Sequence, residues 1–407
     1  MPGHTEAKTV ICIGASVRAV AFAAIRDGWR PYCADLFADR DLQTWASVSK
    51  IPASQYPQGL VRWLQESAPP GPVLYTGRLE RYPQVLAQVQ EQRDLWGNPA
   101  SVVRAVRDPG QLAAAVQLAG LPFADWQNDP SGLPRDGSWL VKFESGVIRW
   151  YGQSLRSRAR YYQRYVPGQP ASAVYLADGT HCRFLGATEQ LIGCHWLQAR
   201  EFQWCGNIGP LPCCSRLTEH LQRLGQALTR HFGLRGVFGV DFILQEELPW
   251  LVEINPRYPA SLEVLELTTG CPWFSAHAAI FMTAQQAGLS ANPGGPRLPA
   301  ADILHEHQAI YTACHCPCVG KAILYTAHAF VFRLGDFAKL GEILTPSGLF
   351  ADVAFADVPQ ESTVIPRHAP ILTLIARGSD RLDTLTRLQT ISAELYAAWR
   401  SAPKPQS

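Results

Sequence analysis

Two short strand-like runs, Gly236 to Leu244 and Trp250 to Ile254, are separated by only the turn Gln245-Glu246-Glu247, and each carries one acid, Asp241 and Glu253. That spacing predicts an antiparallel hairpin. In such a pair, side chains alternate faces, so Asp241 and Glu253 fall on one face and Asn255, two residues on, shares it. Two carboxylates held that close repel, and each raises the other's pKa unless a cation lies between them. Magnesium takes hard oxygen ligands and completes its shell with water and phosphate oxygens. Two carboxylates and an amide oxygen are therefore a donor set suited to a magnesium-bound nucleotide.

The rest of the chain supplies a frame for this hairpin. Thr9 to Ile13 reads as a strand, Gly14-Ala15-Ser16-Val17-Arg18 as a tight turn, Ala19 to Ile25 as a helix closed by Gly28, and Pro31 to Asp35 as a second strand. Ser16 is positioned to cap that helix, leaving N–H groups free to meet an anion. With Val73 to Tyr75 and a helix from Tyr82 to Gln92, residues 1–95 form an α/β domain. Residues 96–290 alternate strands and helices in an α+β pattern. They include a helix from Asp108 to Ala119, strands at Trp139 to Phe143 and Tyr161 to Val166, and a hairpin around Ala177-Asp178-Gly179. A helix from Leu217 to Phe232 leads into the acid-bearing pair. The Asn-Pro-Gly-Gly-Pro stretch within Ala291 to Pro299 is the best linker, and a small β-rich domain, 300–400, closes the chain.

Composition narrows the function classes. With 36 Lys and Arg against 34 Asp and Glu, the net charge of +2 gives no footprint for nucleic acid. No window approaches the ~18 apolar residues of a membrane span, and the start has no leader-like pattern, so a cytoplasmic protein acting on small molecules is expected. The 11 cysteines are expected as reduced thiols. The run Cys314-His315-Cys316-Pro317-Cys318, with His305 and His307 before it, has poor spacing for zinc and reads better as a loop.

An acid on one strand followed by Glu253-Ile254-Asn255-Pro256-Arg257 on the next resembles the signature of the ATP-grasp superfamily, and the resemblance runs in domain order over roughly residues 9–285. It implies an ATP-grasp fold with a preceding α/β domain and a small β-rich C-terminal domain. It also implies ATP and magnesium, with manganese as an alternative metal, held by Asp241, Glu253 and Asn255. Arg257 would meet the transferred phosphoryl group or acyl phosphate oxygens, a task suited to a planar guanidinium. Lys142, in Ser138-Trp139-Leu140-Val141-Lys142-Phe143, resembles the family lysine that reaches phosphate and the adenine edge. Tyr161 to Gly168 resembles the strand and turn where backbone groups near Tyr165 and Val166 meet adenine, with Gln163 as a neighbouring polar contact. The implied activity is ATP-dependent activation of a carboxylate as an acyl phosphate for attack by an amine, and the assembly allows a homodimer. The first domain is similar to that of uncharacterised ATP-grasp proteins, some associated with tetrahydromethanopterin and methanofuran pathways, and the nearest activity is glutamate ligation of the tyramine–glutamate ligase kind. Ser16, Arg18 and Asp35 are then candidate substrate contacts.

The chain departs from the family pattern in three places. The loop Glu144 to Gly152 keeps only two glycines, so Arg149, or the cluster Arg156, Arg158 and Arg160, would assist phosphate closure. Gln169 stands where an acid commonly binds ribose. Arg104 or Arg107 must replace an absent upstream lysine. These departures raise two competing readings, a nucleotide-binding protein that has lost turnover and a bicarbonate-activating carboxylase-type enzyme.

Overall fold

The computed structural model describes residues 8–143, 146, 148–153, 159–282, 318–333, 335 and 353–401. Strands β1 (Thr9–Ile13), β2 (Arg30–Asp35), β3 (Ser47–Lys50) and β4 (Val73–Tyr75) form a parallel sheet in the order β3-β2-β1-β4. β1 is flanked on one side by the strand that follows it and on the other by the last strand, so the chain direction switches there. In open α/β sheets, ligands gather at the carboxyl ends of strands beside such a switch. Gly14 permits the close approach of those ends, since a Cβ there would lie 2.0 Å from Thr76 Oγ1, which itself donates to Ser16 O.

A small antiparallel sheet follows, built from β5 (Trp126–Gln127), β6 (Trp139–Phe143), β7 (Ile148–Trp150) and β8 (Ala159–Arg164) in the order β5-β8-β6-β7. Helix Pro109–Leu118 precedes it, its first turn capped by Asp108 Oδ1 accepting the Gln111 N–H at 2.9 Å.

The remaining long strands are β9 (Gln169–Asp178), β10 (Cys182–Ile192), β11 (Trp204–Gly209), β12 (Arg235–Gln245), β13 (Leu248–Asn255), β14 (Cys318–Tyr325), β16 (Val353–Ala356) and β18 (Pro370–Gly378). They make one antiparallel sheet in the order β13-β12-β9-β10-β11-β14-β18-β16, while β15 (Phe330–Val331) and β17 (Val364–Ile365) pair separately. The β-rich C-terminal segment, expected as a small domain of its own, thus joins the sheet of the central region through the β11–β14 pairing.

Three apolar layers hold these sheets. Helix Ser215–Phe232 repeats leucines at 217, 221, 224 and 228 and lays that stripe over β9 and β10, where Tyr175 donates to Leu221 O at 2.9 Å. Helix Arg18–Arg26 packs Val20 and Ala24 against Leu262, Leu265 and Phe274 of helices Leu262–Thr269 and Trp273–Phe281, which joins the first domain to the central sheet. Helix Arg381–Ser401 covers β14 and β18 with Leu388, Ile391 and Leu395. No helix among the described residues is long and apolar enough to cross a membrane.

Candidate active site

The hairpin forms as the sequence predicts. β12 and β13 are antiparallel, with Asp241 directly opposite Glu253 and Gly239 opposite Asn255, and a bulge follows Asp241. Asn255 Nδ2 donates to Asp241 Oδ2 at 3.0 Å. Burial, and then the charge of Glu253, push the Asp241 carboxyl up to about 7, against the opposing hydrogen bonds from Ser172 and Asn255 and the charge of Arg257. Two facing carboxylates and an amide, one of them strained toward protonation, are a donor set that a hard divalent cation would relieve. The residues present therefore fit magnesium.

Arg257 continues the same edge. Its Nη2 donates to Asn255 Oδ1 at 3.0 Å and to Glu80 Oε1 at 3.4 Å, while Nε is buried without a hydrogen bond. Glu263 and Glu266 are occupied elsewhere, so Arg257 is not spent on a helix-surface ion pair.

Lys142, only 9 % exposed, sits on β6 and donates from Nζ to Val252 O of β13 at 2.9 Å, so it spans the gap between the small and large sheets. A cleft of about 110 Å³ lies here, lined by Lys142, Arg107, Arg160, Tyr161, Glu253 and Asn255. It brings together cations and two of the three candidate metal ligands, Asp241 lying outside its lining, which is a charge arrangement suited to a nucleotide polyphosphate. Gly146 also lines it, held against the guanidinium of Arg81.

Other expected nucleotide contacts lie elsewhere. Arg104 is exposed and does not line the cleft; Arg107, less than one turn further along, does. The correction follows from packing, since Val103 and Val106 fill the core side of this helix and its extension, which leaves Arg104 on the outer face. Tyr165 N–H donates to Ser138 O at 2.8 Å and is committed to the fold rather than free for a base. Tyr165 and Val166 border a separate hollow of about 330 Å³ with Phe123 and Trp250. Gln163 is buried on β8, its Nε2 without a hydrogen bond, and does not line the 110 Å³ cleft. Gln169 opens β9 opposite Leu244 and lines none of these spaces.

On the other side of Arg257 a larger cavity, about 570 Å³, opens between the first domain and the C-terminal strands. Glu80 and Arg81 line both spaces, so the two adjoin. The carboxyl ends of β1 and β4 contribute Ser16 and Thr76 to its wall, as the strand order predicts. Lys50, Arg78 and Arg81 are exposed cations on its lining, and Arg78 holds a left-handed backbone, φ 75. Sequence reasoning passed over Lys50, Arg78, Glu80 and Arg81; the signal available was their position just past the ends of β3 and β4.

The first-domain candidates play mostly structural parts. Ser16 does not cap the helix; Val17 occupies that position, and the Ser16 hydroxyl turns to Asp357 Oδ1 at 3.5 Å. The N–H of Val17 is taken by Asp35, whose carboxylate also accepts from Phe37 and Ala38, so an anion has no opening there. Arg18, 1 % exposed, lines the cavity but is spent on Glu263 at 2.6 and 2.8 Å and on Asp357 at 2.8 Å. Lys321 adds a bond to Glu263 at 2.6 Å. Burial alone would push the Glu263 and Asp357 carboxyls up, but Arg18 and Lys321 hold both below the usual range.

Glu144, Ser145 and Val147 of the loop, Arg156, Arg158, residues 291–299, His305, His307 and 314–317 lie outside the described residues. Arg149 is on β7 and Cys318 begins β14. Among the described residues no three His, Cys, Asp or Glu side chains gather as a metal site, and no disulfide forms.

Comparison with known proteins agrees with this geometry. A family model described as an ATP-grasp domain matches residues 149–261, which include Asp241, Glu253, Asn255 and Arg257. The carbamoyl phosphate synthase large chain of Beutenbergia cavernae is 24% identical over 245 residues, 52% of this chain and 22% of that protein. That of Thermoanaerobacter pseudethanolicus is 21% identical over 244 residues, 58% of this chain and 21% of that protein. The chain thus spans about a fifth of the length of these curated relatives. Among solved structures, the biotin carboxylase–βγ-ATP complex from Campylobacter jejuni superposes with a TM-score of 0.62 at 13% identity, covering 96% of this chain and 91% of that one. An N5-carboxyaminoimidazole ribonucleotide synthetase in complex with ADP gives 0.61 at 13% identity, covering 97% of each.

Proposed function

We propose that this chain, which belongs to the ATP-grasp superfamily, is an ATP-dependent ligase that activates a substrate carboxylate as its acyl phosphate for attack by an amine. The observation that carries the reading is that a small cationic cleft and a larger cavity adjoin at Glu80 and Arg81, with Arg257 on the larger cavity's wall bonded both to Glu80 and to Asn255 of the acid-bearing hairpin. A transfer from nucleotide to carboxylate needs such a junction, with phosphate on one side and substrate on the other.

In this reading Asp241, Glu253 and Asn255 would hold magnesium, which supplies charge neutralisation for the nucleotide phosphates. Lys142, Arg107 and Arg160 would receive the polyphosphate, with Lys142 exchanging its bond to Val252 O for a phosphate oxygen. Arg257 would orient the γ-phosphoryl against the incoming carboxylate oxygen. That oxygen attacks phosphorus and ADP departs; the amine then attacks the acyl carbon, phosphate departs, and the amine loses a proton. Positioning and charge do most of this work, so no dedicated general base is required. Lys50, Arg78 and Arg81 on the cavity lining would accommodate a second carboxylate, which keeps glutamate ligation among the activities to test.

Bicarbonate activation is the second reading, suggested by the biotin carboxylase among the structural neighbours. A cavity of about 570 Å³ is far larger than bicarbonate needs, which favours the ligase. The deciding measurement is ADP release from MgATP over a panel of amino acids paired with amines, and over bicarbonate. Release stimulated by an acid and amine together supports ligation, release with bicarbonate alone supports carboxylation, and ATP binding with neither marks an inactive nucleotide-binding protein.

A further inference from the structure

Three described acids line the larger cavity, and of these Glu80 bonds Arg257 and Asp357 bonds Arg18, which leaves Asp39 without a bonded cation. It follows β2 and occupies the N-cap position of the short helix Arg40–Trp45, a place where aspartate ordinarily accepts a backbone N–H of the first turn. Here its side chain makes no capping bond. It is 4 % exposed, its Oδ2 is buried with no hydrogen bond, and it lines the cavity. A buried carboxylate oxygen without a partner is costly, so it calls for an explanation.

Its surroundings deepen the imbalance. Asp35, Asp41 and Asp357 are its charged neighbours, and the nearby cation Arg18 is already bound to Glu263 and Asp357. The five carboxylates Asp35, Asp39, Asp41, Glu263 and Asp357 thus gather around Arg18 and Lys321, and both of these cations are ion-paired. Burial, and then the charges of Asp357, Asp35 and Asp41, push the Asp39 carboxyl up to about 9. The cavity is therefore bipolar. Lys50, Arg78, Arg81 and Arg257 join the ion-paired Arg18 and Lys321 as its cationic lining, Asp39, Glu80 and Asp357 are its acidic lining, and Phe37, Ile323 and Ile371 add apolar wall.

We propose that Asp39 recognises a protonated amine on the substrate of this cavity, so that the substrate class is a carboxylic acid bearing a primary ammonium group and an apolar or extended body. The inference rests on the ligase reading only for the fate of the carboxylate, which would face Arg257. The amine would supply the missing charge and fill the unused acceptor of Asp39. Since burial and the charges of Asp357, Asp35 and Asp41 raise the Asp39 carboxyl, seating an ammonium beside it would favour its ionised form and release a proton to solvent.

The test is titration calorimetry on the full chain with MgADP, using L-glutamate, L-leucine, L-phenylalanine and L-lysine, each beside its N-acetyl derivative. At least one free amino acid should bind tenfold or more tightly than its acetylated form, and titration in two buffers of different ionisation enthalpy should show proton release. Asp39→Asn should reduce the free acid to the affinity of the acetylated one. Equal binding of free and acetylated forms by the native chain, discrimination retained in Asp39→Asn, or no binding by any member overturns the proposal. The comparison on the native chain stands even if the variant fails to fold. Measuring ADP release from MgATP with the same panel separates the two ideas. Binding of the free acid without any ADP release sinks the ligase and leaves amine recognition. Equal ADP release from free and acetylated acids does the reverse.

Discussion

Two clusters of charge lie on either side of Arg257, one on the wall of the larger cavity and one at the smaller cleft, and they are built on opposite principles. In the Arg18–Glu263–Lys321–Asp357 cluster every carboxylate has a cation at bonding distance, and Glu263 accepts two bonds from one guanidinium and a third from Lys321. In the Asp241–Glu253–Asn255 cluster two acids face each other across a strand pair and only the amide of Asn255 and a serine stand between them and isolation. The first is closed and joins the first domain to the central sheet and the C-terminal strands. The second is open, an arrangement that a divalent cation would relieve. The difference separates acids paired by cations of the fold from acids that have none bonded to them among the described residues, Asp241 partly buried and Glu253 exposed.

Breaking the closed cluster should give the largest change. Glu263→Ala leaves Lys321 buried without its bonded carboxylate and Arg18 with Asp357 alone at bonding distance, and loss of one partner from a buried pair costs about 3–5 kcal/mol. Urea unfolding should show that loss; a shift below about 1 kcal/mol would mean that solvent reaches the cluster. Its pH dependence has a definite sign. Glu263 and Asp357 are held below their ordinary range, so their contribution is complete above the unfolded carboxyl pKa and disappears as pH falls through the folded value. Denaturation midpoints should therefore drop in acid, and Glu263→Ala should flatten that drop.

Arg257→Lys tests the junction between the two spaces. Lysine keeps the charge but loses the planar guanidinium whose Nη2 donates to Asn255 and Glu80 while Nη1 donates to Tyr258 O, so turnover should fall about a hundredfold, or ~2.7 kcal/mol of transition-state stabilisation, with unfolding little changed. An unaltered rate would remove Arg257 from the site. Asp39→Asn should move stability least and in the opposite sense to Glu263→Ala, a gain of about 1 kcal/mol at pH 8, because it removes an uncompensated buried acid. The sign follows from the raised carboxyl: its contribution is complete below the unfolded value and declines as pH rises toward 9. A loss of stability on Asp39→Asn would place Asp39 in the closed cluster instead.

Much of this contrast was legible in the sequence on one side and hidden on the other. The open cluster lies within a single hairpin, where strand periodicity and one turn decide which side chains share a face, so Asp241, Glu253 and Asn255 could be grouped without tertiary information. Lys142 could be placed on its strand for the same reason. The closed cluster draws on residues 18, 263, 321 and 357, from four elements joined only by helix packing and the β11–β14 pairing, and no local pattern announces it. Long-range pairing also explains why the C-terminal strands were expected as a separate body rather than as part of the large sheet. Arg104 and Arg107 lie within one helical turn, and only packing decides which meets the cleft. Asp35 and Asp39, four residues apart at and beyond the end of one strand, have opposite fates: Phe37 and Ala38 of the turn and Val17 from beyond the end of β1 donate N–H groups to Asp35, while Asp39 Oδ2 is buried without a bond.

The most direct test of the central claim is nucleotide affinity in Glu253→Gln, measured by calorimetry with and without magnesium alongside urea unfolding. The open cluster predicts that stability is unchanged or slightly higher, while magnesium-dependent ATP binding falls roughly a hundredfold or more, since even groups behind a metal ligand are commonly worth 10- to 100-fold. ATP affinity that is unchanged in the variant, and equally responsive to magnesium, would contradict the assignment of Asp241, Glu253 and Asn255 as the metal site.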